Sequence, residues 1–275
     1  MPKVAIIIPC YNQSVFLEDA VTSVVQQQYQ NWECIIVNDC STDDTVEKAT
    51  ILAGTDERIK LVSTPSNLGL SGARNFGTQH ATADYILPLD ADDKIAKDYI
   101  SEAIKVFELE PTTQLVYAKA EFFGALEEPW QLPPFHYGLL FGRNPIYCSA
   151  IYKKADWEKC GGYDTSLKRG LEDWDFWLKI LGPDSKVTQL PFIGFFYRKH
   201  ERSMIQELVS DQQAFEKTKS DMLIRHRDKW LTWSFNYLTP LLEQMQYYRN
   251  HEHKLASNPI SRYLLKLARA IVNAS

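Results

Sequence analysis

Continuous apolar runs alternate along the chain with amphipathic stretches of helical period. Val4-Ala-Ile-Ile-Ile-Pro9 is too uniformly apolar for a half-exposed strand and predicts a central parallel strand covered on both faces. After the turn Cys10-Tyr11-Asn12-Gln13, Ser14 offers an N-cap, and Leu17, Ala20, Val21, Val24 and Val25 share one helical face. Glu33-Cys-Ile-Ile-Val37 repeats the buried-strand pattern and ends in Asn38-Asp39, and Ser41-Thr-Asp-Asp44 opens a second helix that runs to about Ala53. Ile59 to Val62 predicts a shorter third strand. The loop Thr64 to Gly69 then leads into a helix from near Ser71 that holds Ala73, Arg74, Asn75 and Gly77. Tyr85-Ile-Leu-Pro-Leu89 is one more buried strand, and it delivers the carboxylates of Asp90-Ala91-Asp92-Asp93 at its C-terminal end.

Repeated strand-then-helix units predict an α/β fold with a mostly parallel, Rossmann-like central sheet flanked by helices, whose ligand lies beyond the strand C-termini. Tyr11, Asp39 and the Asp90 to Asp93 cluster then share one edge of the sheet. Aspartates packed this closely repel one another, and a hard divalent cation relieves the repulsion, so the cluster reads as a metal-diphosphate site. The competing reading is an acidic turn capping the next helix. Asp39 can accept hydrogen bonds from a nucleoside, or together with Asp43 can cap the second helix. Arg74 can reach a phosphate as a planar, permanent cation, or form a surface ion pair.

Lys97 to Glu108 predicts an amphipathic helix with Ile100, Ile104 and Phe107 inward, and Leu115 to Ala118 a further strand. From Phe122 to Tyr147 the chain is rich in aromatics and prolines without clean periodicity, which marks a functional or mobile segment whose aromatic faces suit sugar rings. Leu171 to Leu178 reads as a helix start with acids in its first turn. Adjacent Glu172 and Asp173 point to different faces there, so one can satisfy backbone while the other serves a cleft as general base. Phe192 to Arg198 is an aromatic strand followed by His200, either a structural histidine or a ligand beside the acidic site.

Composition narrows the classes. At 275 residues, 45% hydrophobic and 24% charged, the chain can bury one large core, and a net charge of -5 argues against a nucleic-acid partner. Five cysteines without a Cys-x-x-Cys pair fit free thiols in a reducing cytosol. Neither a signal-peptide pattern nor a long apolar run is present, so a cytoplasmic protein is expected. From about Met204 the chain reads as helical. Between Ser257 and Val272 an apolar stripe of Ile260, Leu264, Leu267 and Ile271 opposes Arg262, Lys266 and Arg269, which suits either peripheral contact with the inner face of a membrane or packing on the domain or a partner subunit.

The ordered set VAIIIPCYN (4–12), VNDCSTDDT (37–45), Asn67-Leu-Gly69 with Ala73-Arg-Asn-Phe-Gly77, Asp90-Ala-Asp92, Glu172-Asp-Trp-Asp175 and Tyr197-Arg-Lys-His200 resembles a family 2 glycosyltransferase of the GT-A fold. The resemblance spans roughly residues 1–205, about 1–120 forming a nucleotide-sugar half and 121–205 an acceptor half, with 206–275 a C-terminal helical extension. It implies an inverting transfer from a nucleotide-sugar, UDP-linked first of all, to a saccharide or lipid-linked acceptor in cell-envelope polysaccharide synthesis. Pro9, Tyr11, Asn12, Asp39, Asn67, Gly69, Arg74, Asp90 and Ala91 would serve the donor. Asp92, with Asp90 and His200, would bind Mn²⁺ or Mg²⁺, and Asp173 beside Glu172 would be the base. The sequence departs from the pattern where the acids follow Arg169-Gly-Leu, and the stretch from Leu126 to Asn144 carries no recognisable motif. Two alternatives stand beside this reading. A sugar-1-phosphate nucleotidyltransferase wants a glycine-rich basic loop after the first strand, which Cys10-Tyr-Asn-Gln13 does not supply. A catalytically silent scaffold on the same fold would have no need of Asp39, Asp92 and Asp173.

Overall fold

A computed structural model describes residues 3–168, 170–200, 211–240, 242, 243 and 246. One compact unit runs from Met1 to His226, and a second from Arg227 to Ser275. In the second, the helix Arg227–Trp233 passes into a π-helical turn at Ser234–Leu238. The stripe at 257–272 lies outside the described residues.

The first unit is built on one sheet. Strands β1 (Val4–Cys10), β2 (Trp32–Asn38), β3 (Ile59–Ser63) and β4 (Tyr85–Pro88) run parallel in the order β3-β2-β1-β4. Every residue of β1 and β2 is buried, as their continuous apolar runs require when helices cover both faces. The helices are α1 (Ser14–Val25), α2 (Thr45–Ala53) and α3 (Gly69–His80). Because β1 lies between β2 and β4, the order in which strands are added reverses there, which opens a crevice at the strand C-termini. Beyond β4 the sheet turns mixed: β8 (Ile151–Lys153) is antiparallel to β4 and to β6 (Thr113–Gly124), while β6 runs parallel to β9 (Lys186–Lys199). Short β5 (Lys94–Ile95) pairs with β9, and β7 (Glu128–Trp130) folds back on β6. Helices α4 (Tyr99–Leu109), α5 (Lys154–Cys160), α6 (Glu172–Ile180) and α7 (Gln212–Arg225) complete the unit.

Three local expectations are corrected. Ser14 is the first residue of α1 rather than its cap; its backbone N–H donates 3.2 Å to Asp43 Oδ2. The same carboxylate accepts from Thr45 N and Oγ1 through Oδ1, so Asp43 serves two helix starts at once and α2 begins at Thr45, after the Ser41 to Asp44 stretch. The segment from Phe122 to Tyr147 is not irregular throughout. β6 continues to Gly124, a hairpin brings in β7, and a 3₁₀ turn forms at Tyr137–Phe141.

Gly77 sets how closely α3 approaches the sheet. A Cβ there would lie 2.5 Å from Ile7 Cγ2 and 2.7 Å from Val37 Cγ2, both on stiff β-branched side chains of buried strands. Gly77→Ala is expected to lower stability by about 1–2 kcal/mol in a denaturant titration, overpacking outweighing the gain in helix propensity. A variant as stable as the parent would mean α3 can lift off the sheet without penalty.

Candidate active site

The C-terminal ends of β1, β2 and β4, the start of α6 and the end of β9 converge on a cavity of about 820 Å³. Most of the residues singled out in the sequence line it: Pro9, Tyr11, Asp39, Asn67, Gly69, Arg74, Asp90, Asp92, Glu172, Asp173 and His200. Asn12 and Ala91 do not. Exposed Asn12, at φ 54°, accepts the Thr42 N–H at 2.7 Å and staples the β1–α1 turn to the β2–α2 loop, while Ala91 is fully buried. Asp93 is also turned away; buried, it accepts the Arg198 N–H at 2.8 Å.

Asp39 is 3% exposed and heavily engaged. Oδ1 accepts from Leu68 N and Thr64 Oγ1, and Oδ2 from Gly69 N, each at 2.8 Å. The carboxylate therefore holds the N-terminus of α3, not α2, and draws the loop carrying Asn67 over the cleft; the Asn67 amide donates to the Asp39 carbonyl at 3.1 Å.

Arg74 is the buried centre of the acidic side. Its guanidinium is 1% exposed and bridges Asp90 Oδ1 at 2.6 Å and Glu172 Oε1 at 2.7 Å, two residues far apart in the chain. It is thus an internal two-carboxylate clamp rather than a surface ion pair. Burial alone would lower its pKa, but Asp90 and Glu172 raise it well above the ordinary value.

With two acids held by Arg74, two others face the cavity. Asp92 Oδ2 lies 2.7 Å from His200 Nε2. Burial and then the Asp90 charge raise its pKa, with His200 opposing. Asp173 is half-buried in the first turn of α6. Oδ1 accepts the Trp174 N–H at 2.7 Å, and Oδ2 accepts from Asn144 Nδ2 at 3.0 Å. Burial and then Glu172 push its pKa up to about 7, with Arg74 pulling the other way. Helix α6 starts from an unusual backbone. Gly170 has φ 102° and Leu171, at φ 67°, is a non-glycine residue in the left-handed region, a conformation costing roughly 1–2 kcal/mol that swings Glu172 and Asp173 into the cleft.

The rest of the lining was not placed by sequence reasoning, although the aromatic segment from Phe122 to Tyr147 was marked as suited to sugar rings. Phe122 and Trp130 stack at 5.0 Å, Tyr197 lies 5.3 Å from Trp130, and buried Tyr147 stands behind, forming an aromatic wall from β6, β7 and β9. The run of aromatics after Phe122 was its signal; the hairpin that assembles them was not readable. Cys148 lies 3.6 Å from Asp90 Oδ2 with its thiol pKa raised by burial and by that charge. Lys168 and Lys199 complete the polar lining, so five carboxylates face three permanent cations. Among the described residues no three His, Cys, Asp or Glu side chains form a metal cage. Asp92 and His200 nevertheless present a carboxylate oxygen and an imidazole nitrogen side by side, a donor set that fits a hard divalent ion sharing its shell with a ligand's phosphates.

A parallel half-sheet ending in an acidic cleft, joined to a mixed half that adds a carboxylate and an aromatic wall, is the architecture of GT-A glycosyltransferases. The chain matches the glycosyl transferase family 2 over residues 5–166 and belongs to that family. It is 26% identical over 265 residues to WcaA of Escherichia coli (strain K12), named for colanic acid biosynthesis, covering 84% of this chain and 91% of the relative. It spans only 42% and 41% of the length of two relatives that match at 41% and 40% identity. Among solved structures, residues 1–349 of Staphylococcus aureus TarS in complex with UDP-GlcNAc superpose with a TM-score of 0.64 at 19% identity, covering 75% of this chain and 61% of that one. The mannosyltransferase PcManGT from Pyrobaculum calidifontis, in complex with GDP-Man and Mn²⁺, gives 0.60 at 18% identity, covering 98% and 85%. Both share the fold. No helix among the described residues is long and apolar enough to cross a membrane.

Proposed function

We propose that the protein transfers a sugar from a nucleoside-diphosphate donor, UDP-linked in the first instance, to a hydroxyl of a saccharide or lipid-linked acceptor in surface-polysaccharide synthesis, with inversion at the anomeric carbon. The observation that carries this reading is a division of labour among the lining acids: Arg74 pairs with Asp90 and Glu172, while Asp92 stands beside His200 and Asp173 beside Asn144. The neighbours in complex with UDP-GlcNAc and with GDP-Man and Mn²⁺ support a nucleotide-sugar donor, and the relative named for colanic acid biosynthesis supports a polysaccharide product.

In this reading Tyr11, Asp39 and the Asn67 to Gly69 loop frame the nucleoside. Asp92 and His200 would hold Mn²⁺ or Mg²⁺. When bound, the ion supplies positive charge for the leaving diphosphate, an interaction that strengthens as the bond to the sugar breaks. Asp173 takes the proton of the acceptor hydroxyl as its oxygen attacks the anomeric carbon, and the nucleoside diphosphate departs with the electron pair of the broken bond. A single displacement inverts the configuration, so retained stereochemistry in the product, read by proton NMR, would overturn the assignment. The wall of Phe122, Trp130 and Tyr197 offers flat apolar faces to the acceptor sugar.

The test is a thermal-shift panel of UDP, GDP, dTDP and CMP, with and without Mn²⁺, on the parent and on Asp92→Asn. A nucleotide at a hundred times its Kd stabilises by about 2.7 kcal/mol. Stabilisation by UDP with Mn²⁺, lost in Asp92→Asn, is the expected result. No stabilisation by any nucleotide would favour a silent scaffold on the same fold.

A further inference from the structure

Asp173 does not stand alone in the cleft. The segment from Leu140 to Ile146, which leaves the 3₁₀ turn and leads toward β8, is pinned along α6 by two tryptophans of that helix: Trp174 Nε1 donates to the Leu140 carbonyl at 2.7 Å and Trp177 Nε1 to the Ile146 carbonyl at 3.2 Å. Asn144 sits between these anchors and precedes buried Pro145, which restricts its backbone to extended conformations. Its side-chain orientation is determined twice. Oδ1 accepts the Ile146 N–H at 3.2 Å, so the amide nitrogen must face the other way, and there it donates to Asp173 Oδ2 at 3.0 Å. The Trp174 N–H holds Oδ1 of the same carboxylate. Each oxygen of Asp173 is thus fixed by one rigid donor and keeps further acceptor capacity for the cavity.

We propose that Asn144 is a positioning residue of the transfer reaction: it fixes the Asp173 carboxylate in the cleft and favours its ionised form against the acids around it. The inference rests on the reading of Asp173 as the base. The charged and titratable groups facing Asp173 are Glu172 on its own helix, Arg74 from α3, Asp90 after β4 and the Cys148 thiol before β8. Arg74 is the cation among them, and it is already shared by Asp90 and Glu172. A neutral donor that an acidic neighbour cannot compete for is therefore what the carboxylate needs to lose its proton near neutrality. An amide fits because it donates without adding charge; an aspartate of the same shape cannot donate when ionised.

The experiment uses the full chain and two readouts. In the first, ¹³C NMR follows the Asp173 side-chain carboxyl against pH, its signal assigned by its loss in Asp173→Asn. Asn144→Ala should raise the titration midpoint by roughly one pH unit, a tenfold gain in proton affinity, and Asn144→Asp should raise it further. The second is release of UDP from a UDP-sugar, with water or a saccharide as acceptor. The acidic limb of kcat/KM should move to higher pH in step with the NMR midpoint, and KM for the donor should stay within about twofold because Asn144 does not line the donor cavity. An unmoved midpoint in a folded Asn144→Ala protein would overturn the proposal, as would a pH-independent fall in kcat. If Asn144→Ala does not fold, Asn144→Leu, which fills similar space without a donor, takes its place against the same criteria. Failure of the transferase reading is distinguishable, since it would appear as absent nucleotide stabilisation in the parent whatever the Asp173 midpoint does.

Discussion

Asp173→Asn is expected to lower turnover by about 10²–10⁴-fold while leaving nucleotide-dependent stabilisation intact. The substitution keeps the shape of the side chain, and its carbonyl oxygen can still accept from Asn144 or from Trp174, but an amide cannot take the acceptor's proton. In the parent, the same group sets a pH dependence whose sign follows from its environment. Burial and Glu172 raise its pKa to about 7, so below neutrality the base is protonated and idle, and kcat/KM should rise with pH and level off above about 7. Stability moves in the opposite direction. A carboxyl whose folded pKa lies above its unfolded value contributes stability that is present in acid and lost as pH rises through the folded pKa. Asp173→Asn removes that loss, so its Tm should gain on the parent's as pH is raised from about 4 to about 7 and keep that gain above neutrality. The two measurements together separate a base from a helix-start residue: the latter would show neither the limb in kcat/KM nor undiminished nucleotide binding with vanished turnover. Undiminished turnover in Asp173→Asn would remove the base from the mechanism.

The parts of this fold legible in the sequence are those whose cause is local. Val4 to Pro9 and Glu33 to Val37 are buried strands because nothing polar interrupts them, and Asp90 to Asp93 sit at a strand end because the apolar run of Tyr85 to Leu89 stops there. Three acids in the first turn of a helix announced α6 in the same way. What stayed hidden depends on distant partners. Asp39 is a helix cap, but for a helix that begins 30 residues later, so neighbouring sequence pointed to the wrong one. Asn144 became visible only when its loop docked on α6. The aromatic wall is contributed by three strands, one of them three residues long, too short to leave a period. Arg74 was recognised as a cation in the site, yet its partners are 16 and 98 residues away, and only the fold shows that both are carboxylates.

That clamp yields the largest expected effect on stability. Arg74→Met keeps most of the side-chain volume and removes the charge, leaving Glu172, 8% exposed, and Asp90 without their cation. Removing one partner of a buried ion pair costs about 3–5 kcal/mol, because the remaining charge stays desolvated. At roughly 2–4 °C per kcal/mol for a unit of this size, Tm should fall by about 10 °C. Adding Glu172→Gln to Arg74→Met should cost less than the sum of the two changes, because the second removes a charge that the first had stranded. Additive losses would mean that Arg74 acts by packing alone. The clamp also explains why a cleft lined by five carboxylates can serve two distinct tasks. With Asp90 and Glu172 tied to Arg74 and Asp39 holding α3, Asp92 and Asp173 are the lining acids beside an imidazole and an amide donor, and the proposed mechanism directs a cation and a proton to these different places. In Arg74→Met that separation should fail as well: stabilisation by nucleotide with Mn²⁺ should weaken alongside the fall in Tm, because Asp90 is then free to compete for the ion and to repel the diphosphate.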